Sequence, residues 1–343
     1  MDFGLFLLLQ SPSARPSKEI FARGTEITCL ADELGYHSVW LAEHHFSTYG
    51  YLSRPLTYAL HLANQTRRIR VGTAVVVLPL HNPLVVAEEV ATVDLLSGGR
   101  FDLGLGRGYQ HYEFERFGQD LGESRARWEE GVDILLRAFT GEPFTYEGEF
   151  FQIPETCILP TPVQSPHPPI WVVGQSPESV AATVDRGFNL VTGGFGVSLD
   201  RLREFRARYD ELIANAWPGS ERRVSTQRPV YVTYDEDDAR AAAEQARWNM
   251  RVTLSLRNNT GRIERGRAIP VPFEGEPTTD ELLDSHLVIG TPQTCIERLR
   301  TLREVMGIDH FAANVWFGDM PQEKVLASMR LFANEVMPAF AEG

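Results

Sequence analysis

Short apolar runs alternate with amphipathic stretches of helix length along almost the whole chain, and this rhythm restricts the fold more than any other feature. Runs of strand length lie at Phe3–Leu9, Ser38–Ala42, Arg70–Leu78, Phe101–Gly106, Ile170–Val173, Leu190–Thr192, Val230–Thr233 and Phe311–Val315. Helical patterns fall at Ser17–Leu34, Pro55–Thr66, Pro83–Leu96, Glu123–Ala138, Pro177–Arg186, Leu199–Ala214, Asp237–Thr253, Thr294–Met306 and Gln322–Val336. Continuous apolar strands separated by helices indicate a parallel sheet covered on both faces. Eight of them over 343 residues suggest an α/β protein built as a (β/α)8 TIM barrel, with a doubly wound open sheet as the alternative.

Two stretches break the rhythm, as insertions at about 141–169 (after strand 4) and about 258–289 (near strand 7). The first, Gly141–Pro169, alternates like a hairpin around Glu147 and Gly148. The second, Asn258–Ile289, has the length of an active-site lid or of a disordered excursion. No repeat or linker divides the sequence, so a single domain over residues 1–343 is expected.

Acids outnumber bases 46 to 33, for a formal charge of −13. That argues against nucleic acid or an anionic membrane as the main partner. Cys29, Cys157 and Cys295 are odd in number and widely spaced, which fits reduced thiols in cytoplasm. The apolar start, Met1–Gln10, is too brief to span a bilayer and reads as the first strand.

Three motifs carry candidate chemistry. The run Val39–Phe46, VWLAEHHF, is a strand ending in an acid, two histidines and an aromatic, at the rim where barrels place chemistry. A histidine pair there can move protons, or simply cap the strand. Adjacent residues diverge on an extended backbone, so a metal site on His44 and His45 is disfavoured. The run Leu103–Tyr109, LGLGRGY, sets Arg107 among Gly104, Gly106 and Gly108, without dinucleotide-fingerprint spacing. Arg107 is either an anion ligand or a structural ion-pair partner. In Val172–Val180, Ser176 is a good N-cap and Pro177 suits the first helical position. The free N–H groups of such a helix start favour an anion, although an ordinary capped helix has the same signature.

These blocks, with VGTAVVVLPLHNPLVVAEEVATVDLLSGGRFDLGLGRG and the C-terminal IGTPQTCIERLR and ASMRLFANEVMPAF, resemble the bacterial luciferase family of flavin-dependent monooxygenases. The similarity is greatest to its catalytic alpha subunit and extends over nearly the whole chain in order. It implies a TIM barrel that takes reduced FMN from a separate flavin reductase. It further implies insertion of one atom of molecular oxygen into a small organic substrate through a flavin 4a-hydroperoxide. His44 matches the family's central acid–base histidine; His45, on the opposite side of the strand, shares catalysis or braces the flavin site. Arg107, Gln175, Ser176 and Ser179 fall at the FMN phosphate. Ala74–Val75 matches a non-proline cis peptide against the flavin ring. Gly106 stands where alpha subunits often carry cysteine, and Gln175 where an acid is usual, departures that bear on true luciferase identity. The resemblance implies a dimer through the helices near Pro55–Thr66 and Pro83–Leu96, here a homodimer or a pair with a similar chain. A deazaflavin-dependent hydride-transfer enzyme and a non-catalytic partner subunit are the competing readings.

Overall fold

A computed structural model describes residues 1–174, 176–192, 199–217, 223–285 and 287–341. Eight parallel strands close into a barrel: β1 (Asp2–Leu7), β2 (Ser38–Leu41), β3 (Arg70–Thr73), β4 (Phe101–Gly106), β5 (Ile170–Val173), β6 (Asn189–Thr192), β7 (Val224–Val232) and β8 (His310–Asn314). Each pairs with its neighbours in sequence, and β8 returns to β1 with Asp2 opposite His310.

Side-chain alternation explains both faces of the wall. Leu5, Leu7, Val39, Leu41, Val71, Leu103, Leu105 and Val172 join Ile20, Ile27, Leu62, Val90 and Leu135 of the surrounding helices in one apolar core. Each such side chain contributes about 1.5–3 kcal/mol on burial. The opposite face fills the lumen, where Trp40 meets Trp171 edge-on at 5.3 Å and both approach His310. Bulk there demands small neighbours: a Cβ on Gly72 would stand 2.6 Å from the Trp40 ring.

The helices are α1 (Ser17–Leu34), α2 (Pro55–Gln65), α3 (Pro83–Ser97), α4 (His111–Phe117), α5 (Ser124–Ala138), α6 (Pro177–Asp185), α7 (Leu199–Ala216), α8 (Glu236–Arg257), α9 (Thr279–Ser285), α10 (Pro292–Met306) and α11 (Gln322–Leu331). Pro83 at the first turn, Asn82 accepting from the Leu84 N–H and Gly98 in the left-handed region bound α3 at the ends its sequence predicts.

Two strands depart from the sequence reading. The expected run Arg70–Leu78 stops at Thr73 and resumes only as Val76–Val77 beside β4, with Ala74–Val75 between. β7 starts at Val224 rather than Val230, because Ser225 and Thr226 are buried polar residues that break the apolar pattern. The first insertion forms the hairpin Phe144–Glu147/Gln152–Thr156. The second contains the hairpin Arg262–Glu264/Arg267–Ile269, α9, and a strand, Val288–Gly290, that extends the sheet beside β7. Among the described residues, no helix is long and apolar enough to cross a membrane.

Candidate active site

The VWLAEHHF run delivers its three ionisable groups to two different places. Glu43 and His45 face one side, and His45 Nε2 lies 2.8 Å from Glu43 Oε1. His81 Nε2 reaches the same oxygen at 2.7 Å, and the Val77 N–H donates to Glu43 Oε2 at 2.9 Å. Burial alone would raise the pKa of Glu43. The hydrogen bonds from both imidazoles, the charge of His81 and the Val77 amide outweigh it and bring the carboxyl down to about 2. This clamp fastens the β2 terminus to the segment that follows Ala74–Val75. His45 is 3% exposed and packs edge-on against Phe117 at 4.8 Å, a bracing geometry.

His44 faces the other way. Its Nδ1 lies 3.1 Å from Glu113 Oε1, which also accepts the His45 backbone N–H at 2.8 Å and the Tyr112 hydroxyl at 3.1 Å. A carboxylate accepts only, so this contact places a proton on Nδ1 and orients the ring. Nε2 makes no hydrogen bond among the described residues. The imidazole sits edge-on to Tyr49 at 4.6 Å, and Gly50 lets the loop close over it, since a Cβ there would stand 2.8 Å from His44 Cβ.

Between β3 and β4 the wall has no room for a side chain at two positions. A Cβ on Gly104 would stand 1.8 Å from the Thr73 carbonyl oxygen, and one on Gly106 2.3 Å from Val75 Cγ2. Gly106 is thus required by the isopropyl group of Val75. The Ala74–Val75 peptide is cis, as the resemblance implied. Gly104 and Gly106 thus admit the Thr73–Val75 segment against β4, and Ala74 and Val75, both half-buried, form a shelf at this strand end.

Just past the shelf, Arg107 is exposed and has no hydrogen-bond or ion-pair partner among the described residues. The structural ion-pair reading of this arginine has no acid to support it. Leu105 pairs with Val172, so Arg107 follows the end of β4 next to the loop that leads from β5 into α6. There Ser176 caps α6, accepting from the Ser179 N–H at 3.2 Å and donating to Ser179 Oγ at 3.0 Å. An unpaired guanidinium on the strand next to a helix N-terminus offers an anion both charge and free N–H groups. Gln175 lies outside the described residues.

In the lumen, Trp171 Nε1, Gln227 Oε1 and Asn314 Oδ1 are buried without partners among the described residues. Buried polar atoms of that kind normally find one, so a polar-edged ligand suits this space. Among the described residues, no group of three His, Cys, Asp or Glu side chains is arranged to hold a metal ion.

The model of the luciferase-like monooxygenases matches residues 1–310. The chain belongs to that family. The oxygenase component of the flavin-dependent trigonelline monooxygenase of Acinetobacter baylyi is 30% identical over 349 residues, covering 100% of this chain and 96% of that protein. Two solved structures share the fold at lower identity. The oxygenating constituent of 3,6-diketocamphane monooxygenase from Pseudomonas putida, in complex with FMN, aligns at TM-score 0.83 and 20% identity, over 99% of this chain and 98% of its own. An F420-dependent secondary alcohol dehydrogenase aligns at 0.76 and 18%, over 99% of each chain.

Within this luciferase-like chain, His44, Ala74, Val75, Gly106 and Arg107 lie at the C-terminal ends of β2, β3 and β4, with Ser176 and Ser179 beyond β5. His45 belongs to the clamp behind them. Sequence reasoning passed over the partners: Glu43, Glu113 and His81 as orienting groups, and Tyr49 as the ring packed against His44. Glu113 offered one signal, an acid in the first turn of a helix that opens just after the glycine-rich strand end.

Proposed function

We propose that this chain is the oxygenase of a two-component, FMN-dependent monooxygenase that inserts one oxygen atom into a small organic substrate. The observation that carries this reading is a convergence on one rim. An oriented histidine with a free Nε2, the half-buried Ala74–Val75 shelf and an unpaired arginine lie at the ends of the neighbouring strands β2, β3 and β4. Arg107, the start of α6, Ser176 and Ser179 would hold the FMN phosphate, and the Ala74–Val75 and Gly106 shelf would support the ring.

When bound, reduced FMN supplies the electrons that activate dioxygen for transfer of one oxygen atom. The chain's own residues govern protons and water. Glu113 fixes the His44 tautomer, leaving Nε2 to give or take a proton at the reacting atoms. Tyr49 and the loop around Gly50 exclude bulk water that would divert oxygen to hydrogen peroxide. His45 acts through Glu43 by holding the shelf in register. The free arginine and the oriented His44 favour a catalytic chain over a non-catalytic partner subunit.

A separate reductase supplies the reduced flavin, in cytoplasm, where Cys29, Cys157 and Cys295 stay as the free thiols they are here. A homodimer is proposed through α2 and α3, because α3 leaves Val85 50%, Leu95 42% and Leu96 61% exposed.

The test is anaerobic ultrafiltration with reduced FMN or reduced deazaflavin, followed by mixing with oxygen. The expected result is retention of reduced FMN over the deazaflavin and slower reoxidation than for free flavin. Preferential retention of the deazaflavin, with oxygen-independent hydride transfer to a carbonyl, would replace this reading with a reductase.

A further inference from the structure

A chain of hydroxyl groups roofs the His44 imidazole and connects three elements far apart in sequence. Tyr109 Oη, after β4, lies 3.4 Å from Tyr49 Oη, after β2. Tyr49 Oη lies 3.1 Å from Thr253 Oγ1, and Thr253 Oγ1 donates to Asn249 Oδ1 at 3.3 Å, both on α8. Tyr49 is embedded with Leu8, Ala42, Val252, Leu256 and Ala268. Burial pushes the pKa of both tyrosines up, so both stay neutral and keep their hydrogens.

The direction of the chain follows from counting hydrogens. Each hydroxyl carries one. Thr253 spends its hydrogen on Asn249, so Tyr49 must donate to Thr253, and Tyr109 must donate to Tyr49. The lone pairs of Tyr109 Oη then remain as the open end of the chain. The Tyr109 ring lies edge-on to His44, with ring centroids 6.1 Å apart, so this acceptor belongs to a side chain that neighbours the imidazole.

We propose that Tyr109 Oη docks a hydrogen-bond donor on the substrate, so that the substrate class is a compound bearing a hydroxyl or N–H group and not a simple aliphatic aldehyde. An aldehyde brings no donor and would leave this half-buried acceptor unpaired once it displaces water there, which is how a polar site rejects the wrong ligand. The proposal rests on the oxygenase reading for placing the substrate beside His44.

The experiment is equilibrium dialysis of the purified chain against 2-naphthol and against 2-methoxynaphthalene, which share a ring but differ in having a donor. The wild type is expected to bind the naphthol at least about tenfold more tightly. Tyr109→Phe should abolish that preference with little change in ether binding. Thr253→Val removes the far acceptor; Tyr49 then turns its hydrogen to Tyr109, whose own hydrogen points outward, and the preference should move toward the ether. A purely structural tyrosine predicts no such reversal. Equal affinity of the wild type for the two probes, including no measurable binding of either, overturns the proposal, as does an undiminished preference in Tyr109→Phe. Reduced-FMN retention is scored separately. Naphthol preference without FMN binding sinks the oxygenase reading alone, and FMN binding without preference sinks the docking alone.

Discussion

Two of the barrel's histidines, His310 low in the lumen and His44 at the rim, are finished differently. His310 is fully buried, with Nδ1 2.8 Å from Ser225 Oγ and Nε2 2.8 Å from Ser38 Oγ, which also accepts from Trp40 Nε1. Burial, then the charges of His37 and Arg223, push its pKa well below 6.5 and keep it neutral. His44 has one nitrogen tied and the other left open. A polar network with every group paired specifies a core; one with a single free end at the rim is poised to act on something else. The N-terminal end of this barrel is therefore read as stability and the C-terminal end as chemistry.

Replacing each histidine tests the contrast. His44→Ala should keep its fold and its reduced-FMN binding, while product formed per flavin oxidised drops by about 10²–10⁴ and peroxide rises in its place. His310→Ala should lose about 2–4 kcal/mol in urea titration, with the partition between product and peroxide unchanged in the folded fraction. If His310→Ala uncouples as severely as His44→Ala, the division of labour collapses.

The clamp behind the shelf makes its own prediction. Glu43 is held at about 2 against an ordinary value of 4.5, so it stabilises the fold at pH above about 4.5, and that contribution is lost as pH falls toward 2. A difference of that size corresponds to roughly 3 kcal/mol, and Glu43→Gln should flatten this acid limb of the stability curve. His310 adds an earlier slope: with its folded pKa depressed, stability declines as pH drops below about 6.5, and His310→Gln should remove that part only. The smallest effect belongs to the rim cation. Arg107→Ala should weaken reduced-FMN binding by roughly 10–100-fold and leave reduced riboflavin, which has no phosphate, nearly unaffected. Equal losses for the two flavins would remove Arg107 from the phosphate.

Much of this was legible in the sequence, for a physical reason. Outward-facing barrel residues are apolar and periodic, so Leu103, Leu105, Val172 and their like announce the strands. The lumen obeys different rules. Ser225 and Thr226 look like loop residues until His310 and neighbouring strands surround them, and this hid the first half of β7. The candidate site divided in the same way. His44, Arg107 and the glycines announce themselves by residue type at strand ends. Glu43 and His81 do not, because their pairing spans 38 positions and depends on how two neighbouring strands end. Tyr49 and Thr253, 204 positions apart, meet only once α8 folds across the mouth of the barrel.

The opposed facing of Glu43, His44 and His45 also bears on how such a chain can change over time. Three consecutive residues serve two faces only because an extended backbone alternates them. Point replacement at any one of the three alters a single face. Insertion or deletion of one residue would exchange the faces, turning the buried clamp acid toward the shelf and the rim histidine into the wall. The spacing of this stretch is therefore as binding as the identity of its side chains, and it is a part of the site that an engineer should leave alone.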